Sequence, residues 1–144
     1  MTDLKLIALD SEDLDILAAH TQDATVRVGD MGYARADRRF ALIMNRYAWE
    51  DEPSRPARAG VRKRAGMHFE QVDAVRFSGF DPHAAEGVLN LLTIRFVPTE
   101  APAGRIELTF AGGGAIHLDV EVLEARLADL GAAWAARTKP EHAA

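Results

Sequence analysis

The chain has 144 residues, of which 48% are hydrophobic and 27% charged, proportions that exclude a disordered, collagen-like or coiled-coil protein. This length holds one ordinary domain and buries enough surface for a single core without cross-links. The absence of cysteine excludes disulfides, thiolate catalysis and cysteine-ligated metal centres, and it fits a reducing compartment. The longest apolar runs have five residues, against the roughly 20 that a membrane-spanning helix needs, and the N-terminus lacks a secretory-signal pattern. We therefore expect a single cytoplasmic domain over residues 1–144, with no membrane span.

The charge is unevenly distributed along the chain. The net charge of −5 argues against a general nucleic-acid binder. Residues 35–64 nevertheless contain nine of the 17 Lys and Arg residues and only four acids, which makes this segment +5 and the remainder −10. Such asymmetry is typical of a local anion-contacting patch or of a solvated loop and strand face.

The first elements in the chain are a strand and a short helix. Residues 4–9 are predicted to form a strand. Ser11 is a suitable N-cap, and Leu14, Leu17, Ala18 and Thr21 then recur at helical spacing, so a helix is expected over 12–22.

Strand patterns dominate the middle of the chain, where β-branched, aromatic and alternating residues are bounded by turn residues. The predicted strands cover 25–34, 39–49, 61–69, 72–80, 88–97, 105–110 and 115–118. Gly29-Asp30 predicts a turn or bulge within the first of them, and Gly112-Gly113-Gly114 predicts a hairpin turn, since strands flank it on both sides. Residues 50–60 contain two prolines and no apolar periodicity, so we expect a mobile loop there.

The end of the chain predicts an amphipathic helix. Asp119 is placed to cap it, and a stripe of apolar residues follows at intervals of three or four: Val120, Leu123, Leu127, Leu130 and Trp134. We expect Trp134 to be buried against the sheet and residues 138–144 to be frayed.

These elements together predict an α+β fold that is mainly antiparallel β. This order of elements, a helix followed by seven strands and a final helix, is similar to that of the pleckstrin-homology-like barrel, in which a C-terminal helix closes one end. The alternative is an open sheet of six or seven strands flanked by two helices. Element order does not determine function in either case.

Two histidines and an acid suggest a metal site. His68, Glu70 and His117 have the His-x-acid…His outline of an iron facial triad, and strand alternation places His68 and Glu70 on one face. The second histidine signature of small β-barrel oxygenases is missing, so we expect the three side chains not to meet around one point.

A basic cluster next to the predicted loop is the strongest candidate binding site. It comprises Arg55, Arg58, Arg62, Lys63 and Arg64. On a strand, Arg62 and Arg64 share one face and Lys63 lies on the other, and paired arginines suit phosphate or carboxylate recognition. The alternative is a solvated edge strand whose charges prevent aggregation.

Two stretches carry a family resemblance. One is Val61-Arg62-Lys63-Arg64-Ala65-Gly66-Met67-His68-Phe69-Glu70-Gln71-Val72, and the other runs from Arg105 through Gly112-Gly113-Gly114 to Trp134. They resemble a family of small alphaproteobacterial proteins known as a domain of unknown function, number 2948. The resemblance implies a bacterial cytoplasmic protein and carries no catalytic residues over.

Three functions stay open after this reasoning. The first is a non-catalytic interaction or adaptor domain whose partner is an unidentified protein or anionic ligand. The second is a small metal-dependent enzyme using His68, Glu70 and His117, and the third is a binder of small anions. The sequence predicts no cofactor and does not indicate an oligomeric state.

Overall fold

The computed structural model describes residues 3–48 and 62–130 of the chain. Within them lie one α-helix, one 3₁₀ turn (Arg35–Asp37) and nine strands. The helix is α1 (Ser11–Thr21), and the strands are β1 (Lys5–Ala8), β2 (Thr25–Ala34), β3 (Arg39–Tyr47), β4 (Arg62–Phe69), β5 (Val72–Ser78), β6 (Val88–Pro98), β7 (Gly104–Phe110), β8 (Ala115–Val120) and β9 (Ala125–Asp129). Within these two ranges, no helix has the length and apolar character needed to cross a membrane.

All nine strands belong to one open antiparallel sheet with the order β1-β9-β4-β3-β2-β6-β7-β8-β5. We call β1, β9, β4, β3 and β2 the five-strand half, and β6, β7, β8 and β5 the four-strand half. Strand β6 joins them, because residues 88–90 pair with β2 and residues 91–98 pair with β7.

The sheet curls so that its two halves enclose one core. Phe40 of the five-strand half lies 6.3 Å, ring to ring, from Phe77 of β5, and the backbone N–H of Val72 donates to the carbonyl of Arg38 at 2.8 Å. On β7, Ile106, Leu108 and Phe110 point inward, as their alternation predicts. Leu14 and Leu17 of α1 belong to the same buried cluster. The side of the five-strand half that faces away from this cluster is called the outer face below.

Most predicted strands are confirmed to within a few residues, and so is the bulge in β2. The register between β2 and β3 shifts between Val26 and Met31, which places Gly29 and Asp30 in the irregular segment. The glycine hairpin is also confirmed, since Gly112 and Gly113 have φ angles of 87° and 97° between β7 and β8. The cap of α1 differs from the prediction: Asp10 accepts the N–H of Asp13 at 2.8 Å, one residue before Ser11.

The predicted C-terminal helix is wrong for the residues that the structure describes. Asp119 and Val120 end strand β8, and Ala125–Asp129 is strand β9, paired with both β1 and β4. Leu127 is buried as expected, but within a sheet. The analogy with the pleckstrin-homology-like barrel relied on that closing helix, so this analogy loses its support, and the strand count is nine rather than seven. Trp134, the loop 50–60 and the tail 138–144 lie outside the described residues.

Candidate anion-binding cleft on the outer face

Strand β4 places the predicted basic residues on two sides of the sheet. Arg62 and Arg64 lie on the outer face, opposite Tyr47 and Asn45 of β3, whereas Lys63 points inward and is 7% exposed. Their separation follows from the alternation of side chains along a strand. Arg55 and Arg58 fall outside the described residues.

The guanidinium of Arg62 rests on the neighbouring strand. It donates to the backbone carbonyls of Asn45 and Asp23 at 3.3 and 3.4 Å, and it lies 5.8 Å from the centre of the Tyr47 ring. These contacts hold the positive charge at the edge of the outer face.

Arg64 borders a cleft of about 370 Å³ between β2, β3 and β4. Arg27 of β2 lines the other side, and Thr25 and Asn45 add a hydroxyl and an amide. The bulge in β2 lies beside the cleft and brings Asp30 to its border. Two planar guanidinium groups with additional neutral donors suit the oxygens of a carboxylate or phosphate.

Arg27 has two ion pairs, and both are loose. Its Nε atom lies 3.7 Å from Asp30 Oδ2, and its Nη1 atom lies 3.6 Å from Glu86 Oε1. Since the Arg27 and Glu86 side chains are largely exposed, such pairs contribute little to stability and rearrange readily. An incoming anion can therefore engage Arg27 at small cost.

The inward-pointing Lys63 lies near a buried ion pair. Asp129 accepts from Arg46 Nε and Nη2, both at 2.8 Å, and from the backbone N–H of Leu4, also at 2.8 Å. The side chains of Arg46 and Asp129 are fully buried. Burial acts to raise the pKa of Asp129, but the hydrogen bonds from Arg46 and Leu4 and the charges of Arg46 and Lys63 outweigh it and hold that pKa below its ordinary value. The charge on Lys63 thus stabilises an interior carboxylate.

A second polar cluster lies at the opposite end of β4. Glu70 Oε2 is 2.5 Å from His68 Nδ1 and accepts from Arg39 Nε at 2.7 Å. Burial opposes ionisation of Glu70, yet the hydrogen bonds and charges of Arg39 and His68 lower its pKa. A cleft of about 400 Å³ beside this cluster is also lined by Arg126.

The structure does not bring the third member of the predicted metal triad to this cluster. His117 lies on β8, where it pairs with Arg76 of β5 and Glu107 of β7. No group of three or more His, Cys, Asp or Glu residues within the described ranges is arranged to hold a metal ion. The placement of His117 on β8 thus does not support an iron site formed by His68, Glu70 and His117.

Of the cleft residues that sequence reasoning missed, Arg27 is the basic one. It lies 35 and 37 positions before Arg62 and Arg64, and only the pairing of β2 with β3 brings it close to them. The alternation of Thr25, Val26, Arg27 and Val28 was the available signal, since it places Arg27 on the face opposite the buried valines.

Comparison with known proteins identifies the family and nothing more specific. The model of a family described as a protein of unknown function (DUF2948) matches residues 4–142, so the chain belongs to that family. Neither the curated proteins nor the solved structures contain a match.

Proposed function

We propose that this member of the DUF2948 family is a non-catalytic binding module that takes up an anionic partner in the cleft between β2, β3 and β4. One observation carries the proposal: Arg27 and Arg64, far apart in sequence, border the same cleft together with Thr25 and Asn45. Of the five basic residues predicted from sequence, Arg64 lines the cleft and Arg62 lies beside it on the same face of β4. Arg55 and Arg58 stay predictions, and Lys63 is assigned to the interior.

The residues that line the cleft favour binding over catalysis. Among its described lining residues, Asp30 is the one carboxylate and Thr25 the one hydroxyl, and there is no histidine. A hydrolytic or transfer reaction needs a nucleophile within reach of a positioned base, whereas holding an anion needs only donors. The family resemblance favours a bacterial cytoplasmic setting for this module.

Calorimetric titration with two simple probes, pyrophosphate and citrate, tests the proposal. Binding should weaken between about 50 and about 300 mM salt, because the screening length falls from about 14 to about 6 Å. Arg64→Glu should abolish it. Arg95→Glu makes the same change in net charge but at a position on β6 away from the cleft, so it should leave binding unchanged.

Thermal denaturation checks that both variants stay folded. The proposal is wrong if neither probe binds at low salt, or if Arg64→Glu and Arg95→Glu bind equally well.

A further inference from the structure

The cleft continues into a trough that crosses the outer face. A second cleft, of about 430 Å³, shares Asp30 and Ile43 with the first, and it shares Arg39 with the cleft beside His68. Three adjoining hollows therefore run from Arg27 and Arg64 at one end to Arg39 and Arg126 at the other.

Gly32 and Ala41 line the second cleft, and Gly66 lies beside it on the outer face, opposite Ile43. Gly66 of β4 pairs with Ala128 of β9, and Ala41 of β3 pairs with Gly32 of β2. A methyl group added at Gly32 would meet no atom within 4 Å, and one added at Gly66 would meet only Leu130, at 3.9 Å. Around Gly32 and Gly66 the outer face is therefore open enough for a main chain to lie against it.

Each end of the trough holds two arginines, and the ends are a few strands apart. At the far end Arg39 pairs with Glu70 at 2.7 Å and Arg126 with Glu124 at 3.1 Å, and both arginine side chains are about half exposed. Arg27 lies on β2 and Arg126 on β9, three strand spacings away. Arg126 lines up through His68 with Ala41 of β3, and Arg27 directly follows Val26, the partner of Met44, so the two arginines are about two residues apart along the ladder. With about 4.8 Å between strands and about 3.4 Å per residue, their Cα atoms are roughly 16 Å apart. An extended peptide of about five residues covers this distance.

The acids along the trough favour a peptide over a nucleic acid. Asp30 lies in its middle, and Glu70 and Glu124 lie near the Arg126 end. A phosphate backbone would place a negative charge against each of them, whereas a peptide offers N–H donors between its own carboxylates.

The neighbouring aromatic rings also argue against nucleic acid, since single strands are usually held by bases stacked on exposed rings. Tyr33 packs against the core, and its hydroxyl donates to the carbonyl of Val72 at 2.8 Å. Tyr47 is 9% exposed and lies beneath the guanidinium of Arg62. Tyr47 is therefore covered, and Tyr33, which lines the second cleft, is only partly exposed.

We propose that the trough binds an extended acidic segment of a partner protein, with carboxylates engaging Arg27 and Arg64 at one end and Arg39 and Arg126 at the other. This inference rests on the proposed function, because it extends the same anion-binding cleft to a longer ligand.

Fluorescence anisotropy with the full-length protein tests it. The probe is a labelled eight-residue peptide of alternating glutamate and alanine, and the controls are the same peptide with glutamine and an oligonucleotide of eight uridines. Arg64→Glu and Arg126→Glu should each weaken binding of the acidic peptide by about tenfold, since each turns an attraction into a repulsion. Arg95→Glu should stay within about twofold of the unmodified protein.

The outcomes separate this inference from the proposed function. Loss of binding in Arg64→Glu but not in Arg126→Glu would overturn the trough while leaving the cleft. Absence of binding by both the peptide and the small anions would overturn both proposals. Tighter binding of the oligouridine than of the acidic peptide, lost in both variants, would replace the peptide by a nucleic acid and overturn the inference.

Discussion

Replacing Asp129 by asparagine should destabilise the protein strongly. The change keeps the shape of the side chain and an oxygen that can accept the N–H of Leu4, but it removes the negative charge. Arg46, fully buried, and Lys63, 7% exposed, then lose the negative charge of Asp129. Breaking a buried pair in this way costs about 3–5 kcal/mol. This is a large part of the roughly 5–15 kcal/mol that keeps a domain of this kind folded.

Urea unfolding measures this loss, and the chain provides a matched control. Asp119 also pairs with an arginine on a neighbouring strand, at 2.8 and 3.4 Å to Arg76, but the two side chains are 42% and 55% exposed. Asp119→Asn should therefore cost no more than about 1 kcal/mol. If Asp129→Asn costs as little as Asp119→Asn, the interior pair does not stabilise the sheet and the reasoning fails.

Removing both charges refines the same experiment. Arg46→Met combined with Asp129→Leu replaces the ion pair by apolar side chains of similar size, which in other buried pairs is often neutral or stabilising. Here the recovery should be partial, because Lys63 loses the favourable charge of Asp129 in either variant. If the double variant is less stable than Asp129→Asn, the ion pair contributes more to the free energy of unfolding than the apolar packing that replaces it.

Two further predictions concern acid and close packing. Because the folded pKa values of Asp129 and Glu70 lie below their ordinary values of about 3.9 and about 4.3, the stability that they contribute is complete above about pH 5 and is lost as the pH falls through the folded values. The urea concentration at the unfolding midpoint should thus decrease as the pH is lowered below about 4, and it should decrease less in Asp129→Asn. An equal decrease in both proteins would contradict this assignment. Gly104→Ala should cost about 1–3 kcal/mol, because the new methyl would lie 2.5 Å from the ring of Phe96, whereas Gly66→Ala should change the free energy of unfolding by less than about 0.5 kcal/mol. Similar unfolding midpoints for these two alanine variants would count against the packing around Gly104.

The sequence predicted most strands because their apolar residues alternate, and it failed where a charge interrupts that alternation. In β9 the inward positions are Ala125, Leu127 and Asp129, so an aspartate stands where an apolar residue would signal a strand. Leu123, Leu127 and Leu130 are spaced as on a helix, and this spacing is the stronger local pattern. The partner that makes a buried Asp129 possible is Arg46, 83 positions away, and a local pattern cannot reveal it.

For a related reason, only one side of the candidate site could be predicted from the sequence. Arg62 and Arg64 are close in sequence, and strand alternation alone places them on one face. Arg27 joins them through strand pairing, and the register of β2 against β3 depends on the bulge between Val26 and Met31. Sequence proximity therefore revealed one side of the cleft, and only the sheet order revealed the other.

The pairing of β1 with β9 bears on how the chain folds. The backbone of Leu4 meets Asp129 across a separation of 125 residues, and β9 is at the same time the partner of β4. Contacts between such distant segments form only after the intervening chain has lost much of its freedom, which slows folding. We expect β1 to dock late, onto a β9 that β4 already holds in place. Until it does, the buried carboxylate of Asp129 lacks the Leu4 N–H, and that side of the sheet is an unpaired edge open to other unfolded chains.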